Sequence, residues 1–268
     1  MLKGLKAIGS DARHFQIMML SSLLCLLLFL YDFAPAIEQI ALIFTASLLT
    51  QFIFTQYFKL PVYDVRSPFI TSLSLCLLFK GAALWLYPLA AVLAIGSKFL
   101  IRSDNKHIFN PANFGIVVLL LLFPNMVWVS PGQWGSALWL GFALAVFAAL
   151  VLTKARRADM ALMFMAFWMM FVFGRAFWLG DPISIPLLSI QSGALLIFAF
   201  FMISDPKSTP DHITGRALFA FAVAFMGYVM QYHLQIREGL FFALFFISIT
   251  TPLIDTFLKS NRIQWRQL

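Results

Sequence analysis

The sequence predicts an all-α integral membrane protein of ten transmembrane helices, arranged as two inverted five-helix repeats, with broken or short helices at segments three and eight. Three observations carry this expectation. Apolar residues make up 62% of the 268-residue chain and charged residues only 11%, with 31 Phe, 12 Met and 7 Trp. That is more apolar side chain than a core of this size buries in water, so lipid must solvate the surplus. Windows of roughly 20 residues resolve ten apolar runs. The basic residues fall almost entirely on alternate connections between those runs.

The runs lie near 15–31, 36–56, 68–79, 82–101 and 111–129, and then near 134–153, 158–178, 186–204, 215–231 and 238–258. Residues 1–268 therefore read as a single membrane domain with inverted halves spanning 15–129 and 134–258. Lys3, Lys6 and Arg13 precede the first run, and Ala34-Pro35-Ala36 loosely mimics a cleavage site. The run of about 17 residues is nevertheless read as a span rather than a signal, because another apolar segment begins almost at once. The connections are too short for a soluble catalytic module.

With a cytoplasmic N-terminus and one crossing per segment, both termini lie inside. Only Lys80, Arg175 and Arg237 of the 19 basic residues then fall outside. The net charge of +8 thus reports topology under the positive-inside rule. Nucleic-acid binding would need a contiguous basic face with groove-reading partners, which this pattern does not provide. Cys25 and Cys76 both sit inside apolar runs, and without CxxC or Cys/His spacing no disulfide framework, zinc site or iron-sulfur site is expected.

Five segments per half is an odd number, so homologous halves would lie in opposite orientations. Segment three opens with Ser67-Pro68-Phe69-Ile70-Thr71-Ser72 and segment eight with Ile185-Pro186-Leu187-Leu188-Ser189, at matching places in their halves. From Pro68 to Phe79, segment three covers roughly 18 Å as a helix, short of a hydrocarbon layer of about 30 Å. Its freed carbonyls need cover from protein or a hydrated cavity. Segment eight carries Gln191-Ser192-Gly193. Ordinary packing through small residues is the alternative, but paired irregularities at matching places favour a central site.

Two polar stretches share the inside face. The first contains Ser97-Lys98 and then Asn105-Lys106-His107-Ile108-Phe109-Asn110-Pro111-Ala112-Asn113-Phe114-Gly115. Asn110 is an expected N-cap before Pro111, whether or not it also meets a ligand at the helix start. Asn113 lies within an apolar run, where an amide is costly unless paired. The second stretch is Ser204-Asp205-Pro206-Lys207-Ser208-Thr209-Pro210. Asp205 ends a helix where the macrodipole disfavours an anion, so its carboxylate serves a lysine, a backbone turn or a ligand. Topology alone allows Lys98, His107, Asn110, Asp205 and Lys207 to cluster. His14, His107, His212 and His233 show no chelating interval, and no Walker, GxGxxG or nucleophile-elbow sequence occurs. Asp255 reads as a helix cap or a relay.

The stretches Gly96-Ser97-Lys98, KHIFNPANFG at 106–115, SGALLIFAFFMISDPKSTP at 192–210 followed by Gly215-Arg216, and TTPLIDTF at 250–257 resemble the RnfD and NqrB family of membrane electron-transport subunits. The similarity covers residues 60–260. The resemblance implies a ten-helix inverted-repeat fold similar to urea-channel architecture, in a bacterial cytoplasmic membrane. It also implies a membrane-held flavin and electron passage among partner subunits of a redox complex. In that family a covalent flavin is attached to a threonine of an S-x-A-T type motif between segments five and six. Here that connection is Val129-Ser130-Pro131-Gly132-Gln133, and no threonine occurs between Thr71 and Thr153. The expected cofactor is therefore a noncovalent flavin (FMN or riboflavin) or a quinone, held by Lys98, His107, Asn110, Asn113, Ser192, Asp205 and Lys207. The expected partners are other membrane or flavoprotein subunits and the lipid bilayer. A transporter or channel for a small solute or flavin without redox chemistry stands as an alternative reading, as does a structural membrane anchor.

Overall fold

A computed structural model of the chain describes residues 12–30, 34–104, 106–130 and 158–260. Segment six, Asn105 and the basic residues Lys3, Lys6, Lys154, Arg156, Arg157, Arg262 and Arg266 lie outside the described residues. The first half opens with helices α1 (Ala12–Leu30) and α2 (Ile37–Tyr57), followed by α3 (Arg66–Leu78) and the short strand β1 (Phe79–Gly81). Helix α4 (Leu86–Leu100) leads into a hairpin of β2 (Arg102–Ser103) and β3 (Lys106–His107), and then come α5 (Pro111–Leu122) and β4 (Val127–Val129). The second half contains α6 (Ala158–Leu179), α7 (Ser184–Ile190), α8 (Gly193–Ile197) with a π-helical continuation over Phe198–Met202, and α9 (Ile213–Tyr228) with another π turn over Val229–His233. Helices α10 (Gly239–Ser248) and α11 (Thr251–Phe257) complete it.

Three of these helices are long and apolar enough to cross a membrane on their own, Ile37–Tyr57, Ala158–Leu179 and Ile213–His233. Two bent pairs bring the number to five, α7 with α8 at 50° and α10 with α11 at 46°. Each bend has a local cause. Ser192 is extended (φ −58°, ψ 125°) between Gln191 and Gly193, which interrupts the helix at the polar triplet. At the second break Pro252 has no N–H to offer the carbonyl four residues earlier, so the α10 ladder stops at Ser248.

Segment three is helical over 13 residues, Arg66–Leu78, about the length expected, whereas segment five is shorter as a helix than its apolar run. Segment five is helical only to Leu122, so the expected continuous helix over 111–129 is corrected to a 12-residue helix, a turn and a strand. The strand pairs antiparallel with the end of segment three, Phe79 opposite Val129, Lys80 opposite Trp128 and Gly81 opposite Val127. This ladder supplies the partners that a helix ending at membrane depth requires. Ser130 N–H donates to Leu78 O at 2.7 Å, and Ala82 N–H donates to Met126 O at 2.8 Å. The buried Tyr87 hydroxyl completes the corner by donating to Gly81 O at 3.2 Å.

The most extensive helix packings in the first half set α4 between α2 and α5, while those in the second half set α9 between α6 and α10. Helices α5 and α10 then meet across the two halves. Gly115 makes the α4–α5 crossing possible, because a Cβ there would stand 2.6 Å from Ala90 O. The core runs through these crossings, with Ile95, Ile116, Phe164, Phe198, Phe219 and Ala224 fully buried. Phe177, Trp178 and Phe29 lie outside it and are almost fully exposed, as lipid-facing or interfacial residues are.

Candidate functional site at the junction of the halves

The β2–β3 hairpin delivers two adjacent side chains to opposite sides, as strand alternation requires. Its turn is tight, with Asp104 in the left-handed region at φ 46°, a conformation Asp tolerates better than most residues. His107 Nε2 lies 3.1 Å from Asp205 Oδ2 in the turn after segment eight. Asp205 Oδ1 accepts the Lys207 backbone N–H at 3.0 Å, and its carbonyl accepts the Thr209 hydroxyl at 2.8 Å. The backbone turn anticipated for this carboxylate is therefore present, while its side-chain partner is His107 rather than a lysine. Burial pushes the Asp205 carboxyl up, but the charge and hydrogen bond of His107, with the Lys207 N–H, outweigh it and hold the group below the usual carboxylate range.

Asn110 does cap α5, accepting the Asn113 backbone N–H at 3.1 Å, and its amide also donates to Met202 O at 3.4 Å. One side chain thus starts a helix in the first half and holds the end of segment eight in the second. Asn113 is fully buried and donates through Nδ2 to Phe241 O at 3.1 Å, whereas its Oδ1 accepts no hydrogen bond. Phe241 is the third residue of α10, and about 10 Å of helix separates it from the end of α10 at Ser248. Asn113 thus sits within the first turn of α5, behind its Asn110 cap. The Phe109 and Phe245 rings stack at 4.7 Å, with Phe114, the residue after Asn113, at 5.2 Å from Phe109.

Lys106 forms a second bridge between the halves. Its ammonium lies 2.8 Å from Asp255 Oδ2 and 3.2 Å from Asp211 Oδ2, and it donates to Thr209 O at 2.8 Å. Asp255 Oδ1 also accepts the Asp211 backbone N–H at 2.8 Å. Asp255 is therefore an inter-half ion-pair partner rather than the helix cap that the sequence suggested. Arg216 extends this charged layer by pairing with Asp159 through Nε at 2.7 Å. A cavity of about 390 Å³ opens beside Lys106, His107, Asp211, Thr251 and Asp255.

The remaining candidate residues are more dispersed. Lys98 donates to Gln51 Oε1 at 2.6 Å and to Ser67 Oγ at 2.9 Å, with its ammonium 5.1 Å from the Phe99 ring. It thus occupies a pocket of the first half, within Coulombic reach of Asp205 and Lys207. The Lys207 side chain is exposed. Ser192 stands at the break in segment eight, about 15 Å of helix away from the Asp205 turn. His107, Asn110, Asp205 and Lys207 come together, Asn113 lies behind them, and Lys98 and Ser192 stand apart. Sequence reasoning missed Gln51, Ser67, Lys106 and Asp211. Acidic residues on the basic inner connections were the available signal for the last two. Among the described residues, no group of three His, Cys, Asp or Glu side chains could hold a metal ion.

The fold and site define a polytopic helical membrane protein whose halves meet at buried polar residues on one side. The chain belongs to the NQR2, RnfD, RnfE family, whose profile matches residues 9–264. Its relatives include proteins named as the D-type subunit of an ion-translocating oxidoreductase complex. The one from Pseudomonas paraeruginosa is 26% identical over 254 residues, covering 72% of this chain and 73% of that relative. The Shewanella pealeana protein is 34% identical over 74 residues, and the Buchnera aphidicola protein 28% identical over 76. Those two matches each cover 28% of this chain and only 21% and 22% of the relatives' own length.

Proposed function

We propose that this chain is a membrane subunit of an ion-translocating redox complex and holds a noncovalent flavin or quinone where its halves meet. In this reading it forms ten membrane segments as two inverted repeats in a bacterial inner membrane, both termini face the cytoplasm, and partner subunits exchange electrons with it. The repeated order of packing supports the duplication, since segment four lies between two and five as segment nine lies between seven and ten.

The observation that carries the cofactor reading is the unfilled acceptor Asn113 Oδ1, fully buried one residue before Phe114, whose ring meets the stacked Phe109 and Phe245. A buried amide oxygen without a donor is costly, and it fits a ring edge that presents an N–H or O–H. A flavin or quinone, when bound, supplies an electron-accepting ring whose potential responds to such contacts. Asn110 fixes the helix start beneath that edge. His107, anchored through Nε2 by Asp205, has its other ring nitrogen to hold or pass a proton at the cavity wall. The test is an absorption spectrum and mass analysis of small molecules released from protein purified in mild detergent. Released flavin or quinone supports the reading, and the absence of both defeats it.

A second reading rests on a different observation. The α2 residues Ser47, Thr50, Gln51 and Thr55 turn a polar face inward, and Ser47 Oγ, Thr55 Oγ1 and Ser72 Oγ accept or donate no hydrogen bond. A polar interior next to Lys98 suits a solute pathway without redox chemistry. Flux of labelled solute into proteoliposomes without reductant would favour that pathway, and reductant-dependent reduction of an acceptor would favour electron transfer.

A further inference from the structure

A lysine near the end of a membrane helix ordinarily extends its ammonium past that end toward water. Lys98, two residues before the end of α4, turns the other way. Its neighbour Phe99 stacks on Phe58 and Phe54 near the end of α2, at 6.2 and 5.1 Å. The Lys98 ammonium instead reaches Gln51, which lies about 9 Å of helix before that end. Its hydrogen-bond partners there are neutral, Gln51 Oε1 at 2.6 Å and Ser67 Oγ at 2.9 Å, which leaves one of its three N–H donors. The Phe99 ring face, 5.1 Å away, attracts the cation without cancelling its charge. The two carboxylates within Coulombic reach are committed elsewhere, Asp64 to Arg13 and Arg66 and Asp205 to His107, while Lys207 and Arg102 add positive charge.

A second observation points to a ligand. Ser47 and Thr55 lie one turn to either side of Gln51 on the same stripe of α2, the helix that packs most extensively against α4. They are 0% and 4% exposed, yet neither Ser47 Oγ nor Thr55 Oγ1 has a hydrogen-bond partner among the described residues. Buried hydroxyls are costly unless paired, and a charge drawn out of water needs a counter-charge.

We propose that the Lys98 ammonium, with the Ser47 and Thr55 hydroxyls, binds one small monovalent anion of the halide or nitrate class. A single uncompensated positive charge calls for a single negative one. The spare N–H and the two hydroxyls are donors that such an ion accepts, and the same set repels cations. The Lys98 side chain is only partly buried, which leaves the ion an approach. The site requires neither a redox cofactor nor a transport role, so its failure and theirs are separate.

The test uses the full chain in mild detergent, with sodium gluconate replaced by sodium chloride, bromide or nitrate at constant ionic strength. At least one of these anions should raise the unfolding midpoint saturably by about 3 °C, the shift expected when the ion exceeds its dissociation constant roughly tenfold. Lys98→Met should abolish that shift, and Lys59→Met, which removes the same charge from an exposed position, should leave it intact. The Ser47→Ala, Thr55→Val double variant keeps the lysine and should be at least as stable in gluconate, because it deletes two unpaired buried hydroxyls. In the anion titration it should raise the half-saturating concentration about tenfold. The proposal is overturned if no anion differs from gluconate, if Lys98→Met keeps the full shift, or if the double variant keeps the native half-saturation.

Discussion

Lys106→Met removes a cation that lies within hydrogen-bonding distance of both Asp211 and Asp255. The three side chains are 16%, 7% and 16% exposed in the order Lys106, Asp211, Asp255, so this is not a surface pair. At 2.8 Å and an effective dielectric of about 20, the Lys106–Asp255 contact alone represents a gross attraction of about 6 kcal/mol, before desolvation is subtracted. Truncating the lysine leaves two carboxylates facing each other without the ammonium between them, which costs about 3–5 kcal/mol. Asp255→Asn keeps an acceptor for the Asp211 N–H while removing one of those charges. Combined with Lys106→Met it should recover about 1–3 kcal/mol as a coupling energy. Denaturant unfolding in mixed micelles of the native chain, both single variants and the double variant measures the cycle. A loss below about 0.5 kcal/mol for Lys106→Met, the value of a surface pair, would refute the inter-half bridge. A loss unchanged by Asp255→Asn would refute it equally.

Gly115→Ala should destabilise the α4–α5 crossing by about 1–3 kcal/mol, because its Cβ meets backbone at Ala90 O and cannot be relieved by a rotamer change. A thermal midpoint equal to that of the native chain would contradict this. The depressed Asp205 and Asp64 carboxyls set an acid limit. For Asp64, burial raises the carboxyl but Arg66 and Arg13 more than offset it. Stability from both groups is fully present above their ordinary value of 3.8 and is lost as pH falls through the lowered values. The gap in unfolding midpoint between the native chain and an Asp64→Asn, Asp205→Asn variant should therefore be constant near neutrality and close below about pH 4. A gap that persists at lower pH would show that neither carboxylate stabilises the fold by its charge.

The apolar runs were legible because bilayer thickness imposes a length on them that composition alone reveals. Their internal breaks were less so. Val127-Trp128-Val129 is as apolar as the helix before it, and a uniformly apolar run has no period from which to tell strand from helix. Only pairing with Phe79–Gly81, some fifty residues away, decides its conformation. The Gln191-Ser192-Gly193 break was readable because polar and flexible residues interrupt the run locally. The same contrast governs the site. Asn110 announced itself by preceding a proline, and Asp205 by its place at a helix end. Lys106, Asp211 and Asp255 could not be joined from sequence, since their pairing depends on how the two halves meet. Lys98 was among the candidate residues and Ser67 lay in the proline-led opening of segment three, but nothing local joins the two or marks Gln51.

The most direct test of the central claim is a reduced-minus-oxidised difference spectrum of the native chain and of Asn113→Leu, both purified anaerobically in mild detergent. The account predicts a redox-dependent flavin or quinone signal in the native protein and its loss in the variant, with the variant still folded by circular dichroism. A native protein without any such signal, or a variant that retains it in full, would contradict the assignment of the buried Asn113 edge as the cofactor contact.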